Sequence, residues 1–308
     1  MHVINETKNM RKNHFDMKDL GEANFILGMK ITKTRDGIFL NQSHYVEKIL
    51  RKYNFHDHKS VTTLFNSSVH LFPVNNDDEI FNQKDYASII GNLRYAIDCT
   101  IPDIAYAAGV LSRFTSKPSK DHWLAIEQVM RYLIGTKSYG LFYKKYHAVI
   151  KAFSDADWST LSSGSLFTTG YIFTLGSGAI CWKSTKQTII VNSTMEAELI
   201  AFISASEETN CLRDLLYEIP FWEKPIPHIL IHCDSIAVIR RVKNRNYNGK
   251  SRPIRRKHST VRSYLSSGII TVDYIKSNDN LADSFTKALV KDRVWNTSRG
   301  LGLKSIDS

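Results

Sequence analysis

Between residues 149 and 191 the chain passes through four short apolar, β-branched stretches separated by glycine- and serine-rich turns: VIKAFS (149–154), TGYIFTL (169–175), AICWK (179–183) and TIIV (188–191). Runs of this length bounded by turn residues read as strands. A long helical pattern follows, from about Thr194 to Glu218. After it come the strand HILIHC (228–233), a short helix over Ile236–Val242, the strand IITVDYI (269–275) and a last helix over Leu281–Leu289. Sequential strands followed by alternating helices and strands confine this half to an α/β arrangement, a mixed sheet with helices packed on it.

The first half obeys other patterns. FILGMKITKTRDGIFLNQ (25–42) places two β-branched runs around Asp36-Gly37, a hairpin signal. Ser43 is placed to cap a helix that carries Val46, Ile49, Leu50 and Tyr53 on one face. Residues 66–82, with Pro73 and NNDDE, have no period and read as a linker. From Asp85 to Gly135 the signals are helical. They end in SKDHWLAIEQVMRYLIG, where Ser119 is the expected cap, Trp123, Ile126, Met130 and Leu133 line one side, and Gly135 suits the stop. The expected organisation is a small α+β unit over 1–65, a linker over 66–82, a helical region over 83–146, a mixed-sheet domain over 147–292 and a tail over 293–308.

Composition bears on partners and compartment. Forty-one Lys and Arg against 30 Asp and Glu give a formal charge of +11, which points to a polyanionic partner. Cys99, Cys181, Cys211 and Cys233 form no CxxC pair, so neither a disulfide framework nor a thiolate zinc site is expected. The start, MHVINETKNMRKNHF, has no apolar core of a signal peptide, and no apolar run approaches the roughly 20 residues that span a bilayer. The expectation is a soluble intracellular protein with no membrane partner.

Four acids in the second half fall where strands end or helices begin: Asp155, Glu198, Asp234 and Asp283. Each alone has an ordinary explanation as a turn residue, a helix cap or a partner of the helix dipole. Together in one fold they would repel one another, and such a cluster persists mainly where cations neutralise it. Within STMEAELIAF, Glu196 lies three residues after Ser193 and suits a capping box. Glu198 instead shares a face with Ala201, Phe202 and Ala205, the face that meets the sheet, where a carboxylate is costly unless it coordinates something. Hard oxygen donors without a Cys or His cluster favour Mg²⁺ or Mn²⁺ over zinc. Two such ions about 4 Å apart activate a water and stabilise the leaving oxygen of a phosphodiester.

FSDADW, TTGYIFTLGSGAICWKS, NSTMEAEL, HCDS, NGKSRPIRRKH and SNDNLADSFTKAL, in this order and spacing, resemble the ribonuclease H domain of copia-type retrotransposon polyproteins. Upstream, MKDLGEANFILGMKI, LNQSHYVEKILRKYNF, YASIIGNLRYAIDCTIPDIAYAAGVLSRF and HWLAIEQVMRYLIGT resemble the reverse transcriptase thumb and connection of the same polyproteins. The resemblance covers nearly the whole chain. It implies a ribonuclease H-like fold in which Asp155, Glu198, Asp234 and Asp283 are the catalytic, metal-binding carboxylates. It also implies two Mg²⁺ ions, with Mn²⁺ as substitute, and hydrolysis of the RNA strand of an RNA–DNA hybrid to leave a 3′-hydroxyl and a 5′-phosphate. Such a chain is expected in the cytoplasm, in a virus-like particle or in the nucleus.

Three departures from the family pattern matter. The polymerase palm with its paired aspartates is not in this sequence, so DNA synthesis by this chain alone is not expected, and a palm-bearing reverse transcriptase chain is a candidate partner. After DADW the family often carries another acid, whereas STLSSGS has none; this motivates the alternative of a catalytically inactive fragment that only binds nucleic acid. SNDNLAD lacks the histidine that many relatives outside the copia group place before the last Asp. A transposase- or integrase-type nuclease, sharing the general fold and ignoring the 2′-hydroxyl, is a third option. Asp157, two residues beyond Asp155, would point the same way if the strand continued and could substitute as a ligand; the resemblance favours Asp155 and gives Asp157 a supporting or structural role.

Ten cations, Arg240, Arg241, Lys243, Arg245, Lys250, Arg252, Arg255, Arg256, Lys257 and Arg262, stand between Ser235 and Val272 with no Asp or Glu among them. Solvated faces normally mix signs, so this one-sidedness favours phosphate contacts, which set position and salt dependence without reading sequence. Trp158 and Trp182 read as core aromatics before base-stacking ones. His232 and His258 have no metal-ligand spacing and read as structural or phosphate-side residues.

Overall fold

The computed structural model describes residues 2–18, 21–65, 71–73, 81–145, 149–158, 167–191, 193–220, 222–246 and 251–305. Helix α1 (His2–Lys12) is followed by the short strand β1 (Phe25–Ile26), β2 (Met29–Lys33), β3 (Gly37–Asn41) and α2 (Ser43–Lys52). β2 and β3 form the expected hairpin, with Lys33 opposite Ile38. Helix α2 starts at Ser43 itself, whose N–H and Oγ both donate to Asn41 Oδ1, so the cap lies upstream of the expected residue. Most of the expected linker lies outside the described residues, but Leu71 within it is buried in the first core. Helices α3 (Gln83–Cys99), α4 (Ala105–Leu111) and α5 (Lys120–Thr136) follow. Ser119 caps α5 as expected, in a capping box closed by His122.

The second half contains β4 (Tyr139–Lys144), β5 (Lys151–Trp158), β6 (Phe167–Leu175), β7 (Gly178–Lys186), α6 (Thr194–Glu218) and β8 (Ile229–Cys233). Then come α7 (Ile236–Lys243), α8 (Arg252–Ser266), β9 (Ile270–Tyr274), a 3₁₀ turn (Leu281–Phe285), α9 (Lys291–Gly300) and β10 (Leu303–Ser305). The second sheet has the order β7-β6-β5-β8-β9. β7, β6 and β5 are antiparallel neighbours, while β5, β8 and β9 run parallel. This is the ribonuclease H-like mixed sheet that the resemblance implies. One of its faces packs on α6, α7 and α8 through Phe173, Phe202, Ile231, Val238 and Ile254. Phe153, Ile172 and Ala179 join Leu93, Ile126 and Phe285 in a core shared with the upstream helices.

Three expectations are corrected. Residues 188–191 form no strand: β7 ends at Lys186, and the Gln187 amide ties the chain to Thr169 Oγ1 and the Ala197 carbonyl, turning it toward the α6 cap. Ile190, left without a partner strand, is 80% exposed. The expected last helix is a 3₁₀ turn over Leu281–Phe285, because Asn280 Oδ1 accepts the Ala282 N–H and the Thr286 hydroxyl donates to Asp155, and such side-chain bonds compete with helix. Residues 293–308, expected as a tail, instead lie largely in α9 and β10. β10 pairs with β4 and completes a first sheet of order β1-β2-β3-β4-β10, with Leu301 and Leu303 buried behind it.

Candidate active site

The parallel pairing of β5 with β8 places Ser154 opposite Cys233. The residue that follows each of these is an aspartate, so Asp155, within β5, and Asp234, just past the end of β8, stand side by side where the parallel pairing stops. β5 itself runs on through the acidic stretch to Trp158, so Asp155 is held by a sheet ladder and not by a turn. Opposite Asp155 on β6 is Gly170. A Cβ there would lie 2.7 Å from Thr286 Cγ2 and 2.8 Å from Phe285 Cβ, so the glycine admits the 3₁₀ turn that carries Asp283. Asn280 pins that turn from below, its Nδ2 donating to the Ser154 carbonyl at 3.0 Å. Glu198 arrives from the other side, on the first turns of α6, and its Oε2 accepts the Ala156 N–H at 3.2 Å.

All four predicted acids therefore come together. Carboxylate oxygens of Asp155, Asp234 and Asp283 lie within 4.8 Å of one another, and Asp234 also lies within that distance of Glu198 and of the Cys233 thiol. Asp155 is only 2% exposed and Asp283 only 1%. Burial pushes the Asp155 carboxyl up to about 7 and Glu198 up to about 10, with neighbouring acids adding to both shifts. Asp283 is raised by burial too, against the pull of Lys287 and Arg293. Asp157, half-buried on the face of Asp155, is raised by burial against the pull of Lys287. Burial raises the Cys233 thiol to about 12, which keeps it protonated.

Sequence reasoning missed the residues that hold these acids. The Thr286 hydroxyl donates to Asp155 Oδ2. Lys287 Nζ sits 3.0 Å from Asp283 Oδ1 and 3.9 Å from Asp155 Oδ2, and Arg293 pairs with Asp283 Oδ2. Lys287 was legible, since it stands four residues after Asp283, the spacing of neighbours on a helical turn. Arg293 reaches back from α9, a long-range contact that no local pattern announces.

The basic segment divides. Arg240, Lys243, Arg245, Arg252, Arg255 and Arg256 are exposed on and beside α7 and α8, and Lys250 lies outside the described residues. Arg241, Lys257 and Arg262 are half-buried. Lys257 pairs with Glu207 at 3.2 Å, and Arg262 donates to the Val242 and Lys243 carbonyls. His258 is buried and its Nε2 donates to the Arg241 carbonyl at 2.9 Å, which joins α8 to α7. His232 stacks on Phe153 at 4.9 Å. Trp182 packs on the first core, whereas Trp158 is exposed and meets Phe167 edge-on. All four cysteines are free, and among the described residues no helix is long and apolar enough to cross a membrane.

A family model described as Reverse transcriptase (RNA-dependent DNA polymerase) matches residues 1–66. The chain is 34% identical over 298 residues to the Retrovirus-related Pol polyprotein from transposon TNT 1-94 of Nicotiana tabacum, covering 94% of this chain and 22% of that protein. It is 30% identical over 302 residues to the Retrovirus-related Pol polyprotein from transposon RE2 of Arabidopsis thaliana, covering 98% of this chain and 20% of that protein. Among solved structures it is similar to the foamy viral protease-reverse transcriptase in complex with dsDNA. That match has 17% identity and a TM-score of 0.49, covering 82% of this chain and 44% of the other. The family model and the relatives define the chain as a region of a retrotransposon Pol polyprotein. The chain belongs to the Pol polyprotein family of copia-type retrotransposons. It spans about a fifth of the length of the curated relatives it matches over nearly all its residues.

Proposed function

We propose that the chain is a metal-dependent endonuclease that hydrolyses the RNA strand of RNA–DNA hybrids, with Asp155, Glu198, Asp234 and Asp283 as its metal-holding acids. The observation that carries this reading is the convergence of those four carboxylates from four separate elements onto one end of the second sheet. The donor set fits a hard cation: its free atoms are carboxylate oxygens, and the one thiol among them stays protonated. Two Mg²⁺ ions, or Mn²⁺, would supply an activated water and offset charge on the leaving oxygen. Asp155 projects from within β5, Asp234 from just past the end of β8, Asp283 is fixed by Arg293 on the turn, and Glu198 approaches from α6.

The exposed cations of α7 and α8 supply phosphate contacts. α7 begins directly after Asp234, with Ser235 as its cap, so a hybrid held along it has its backbone led to the acids. In this reading polymerisation is the work of a palm-bearing reverse transcriptase chain, and the setting is intracellular: cytoplasm, virus-like particle or nucleus.

The test is cleavage of a labelled RNA–DNA hybrid with Mg²⁺, beside Asp155→Asn and a matched DNA duplex. Cutting confined to the RNA strand and lost in the variant is the expected result. Salt-sensitive binding of the hybrid without any cutting would replace the enzyme with a fragment that only binds nucleic acid, and equal cutting of the DNA duplex would favour a transposase- or integrase-type nuclease.

A further inference from the structure

We propose that Lys287 is a built-in cation of the carboxylate cluster: its ammonium bridges Asp155 and Asp283, and a divalent ion must displace it to enter. The inference rests on the reading of these acids as a metal site. Lys287 Nζ is 3.0 Å from Asp283 Oδ1 and 3.9 Å from Asp155 Oδ2. These are two of the three carboxylates whose oxygens converge within 4.8 Å. A magnesium ion bound to the same oxygens stands about 2.0–2.1 Å from each, within contact of an ammonium at that place. Two cations so close repel strongly in a buried site, so occupation by one excludes the other.

The second cation of the cluster makes the contrast. Arg293 is bonded to Asp283, to Asn278 Oδ1 at 2.5 Å and to the Ser277 carbonyl at 3.2 Å, so its guanidinium is fixed from three sides. Its planar fork and permanent charge suit a structural tie. Lys287 is held by the carboxylates themselves, on a flexible stem whose side chain is 34% exposed, against 25% for Arg293. Its ammonium has a route into water that does not require the turn to move. Carboxylates brought together by folding need a counter-charge or a shared proton before any metal arrives, and Lys287 supplies a counter-charge that can leave.

The experiment uses the full chain as wild type and as Lys287→Met, Lys287→Gln and Lys287→Arg, with Mn²⁺ titrated by calorimetry and melting followed in chelator. The neutral variants are expected to melt several degrees lower without metal and to bind Mn²⁺ about tenfold more tightly, the scale of one charge removed from a neighbouring site. Lys287→Arg, which keeps the charge, is expected to stay near wild type in both readouts. Either neutral variant that folds, judged by circular dichroism, decides the matter. Wild type binding Mn²⁺ with affinity unchanged or weakened in the neutral variants overturns the competition while leaving the metal site standing. No Mn²⁺ bound by any form overturns both readings together, and binding by the neutral variants alone supports the competition at its strongest.

Discussion

The acids at the end of the second sheet and the cations of α7 and α8 are built on opposite rules. Two of the acids, Asp155 and Asp283, are buried and two, Glu198 and Asp234, are half-buried, and each comes from a different element, so the cluster exists only when β5, β8, α6 and the 3₁₀ turn are all in place. The cations are mostly exposed, contiguous in sequence and spread over two helices. Buried like charge is expensive and position-dependent, which makes every member of the first group irreplaceable. Exposed like charge is cheap and screened by salt, which makes members of the second group additive and interchangeable. One region is legible only as a constellation; the other announces itself in composition.

The largest effects follow from the buried group. Asp155→Asn is expected to abolish hybrid cleavage while raising the melting temperature in chelator, because it removes a buried charge and leaves an oxygen to accept the Thr286 hydroxyl. A variant that loses activity and stability together would erase the contrast with the basic segment. Next comes Gly170→Ala, whose methyl group would press on Thr286, Phe285 and the Ala282 carbonyl. Overpacking of this kind costs about 1–3 kcal/mol, readable in urea unfolding, and cleavage is expected to fall with it as the Asp283 turn shifts. A neutral Gly170→Ala would mean that the turn has slack and that the cluster is less exacting than its burial implies.

What the sequence disclosed follows the same division. The strand runs of 149–183, the α6 boundaries and the two β-branched strands β8 and β9 were legible because each satisfies its periodicity within a few residues. Glu198 was separable from Glu196 by helical face alone, and Ala201, Phe202 and Ala205 beside it are indeed buried. TIIV was misread because β-branched content marks a strand only where a neighbour offers a ladder, and β7 ends before it. The 3₁₀ turn and β10 were illegible for a related reason: Asn280 reaching Ser154 and Leu303 pairing with Leu141 join residues far apart in the chain.

A pH series in chelator sharpens the comparison at intermediate size. The Asp155 carboxyl is raised from 3.8 to about 7 in the folded chain. Between those values the folded state keeps a proton that the unfolded state has released, so stability is full below about 4 and is lost as pH rises through 7. Glu198, raised to about 10, extends the loss to higher pH. The melting temperature is therefore expected to fall from pH 5 to pH 8 without metal, and saturating Mg²⁺ is expected to flatten the slope. A flat profile in chelator would mean that the cluster is already neutralised, and Lys287→Met measured in the same series would show by what.

The basic segment is expected to respond in small, equal steps. Arg255→Ala and Arg256→Ala should each lower the slope of log affinity for hybrid against log salt by roughly 1, weakening all sequences alike. Lys257→Ala is smaller still in its effect on stability. Its pair with Glu207 spans 3.2 Å, yet 36% and 44% of the two side chains remain exposed, and pairs of that kind contribute about 0–1 kcal/mol. Its loss should be near the limit of a denaturation experiment, and its loss of hybrid affinity should match that of Arg255 or Arg256 only if the ammonium leaves Glu207 for a phosphate. A drop in affinity well beyond theirs would place Lys257 among the position-dependent charges and move the boundary between the two regions onto α8.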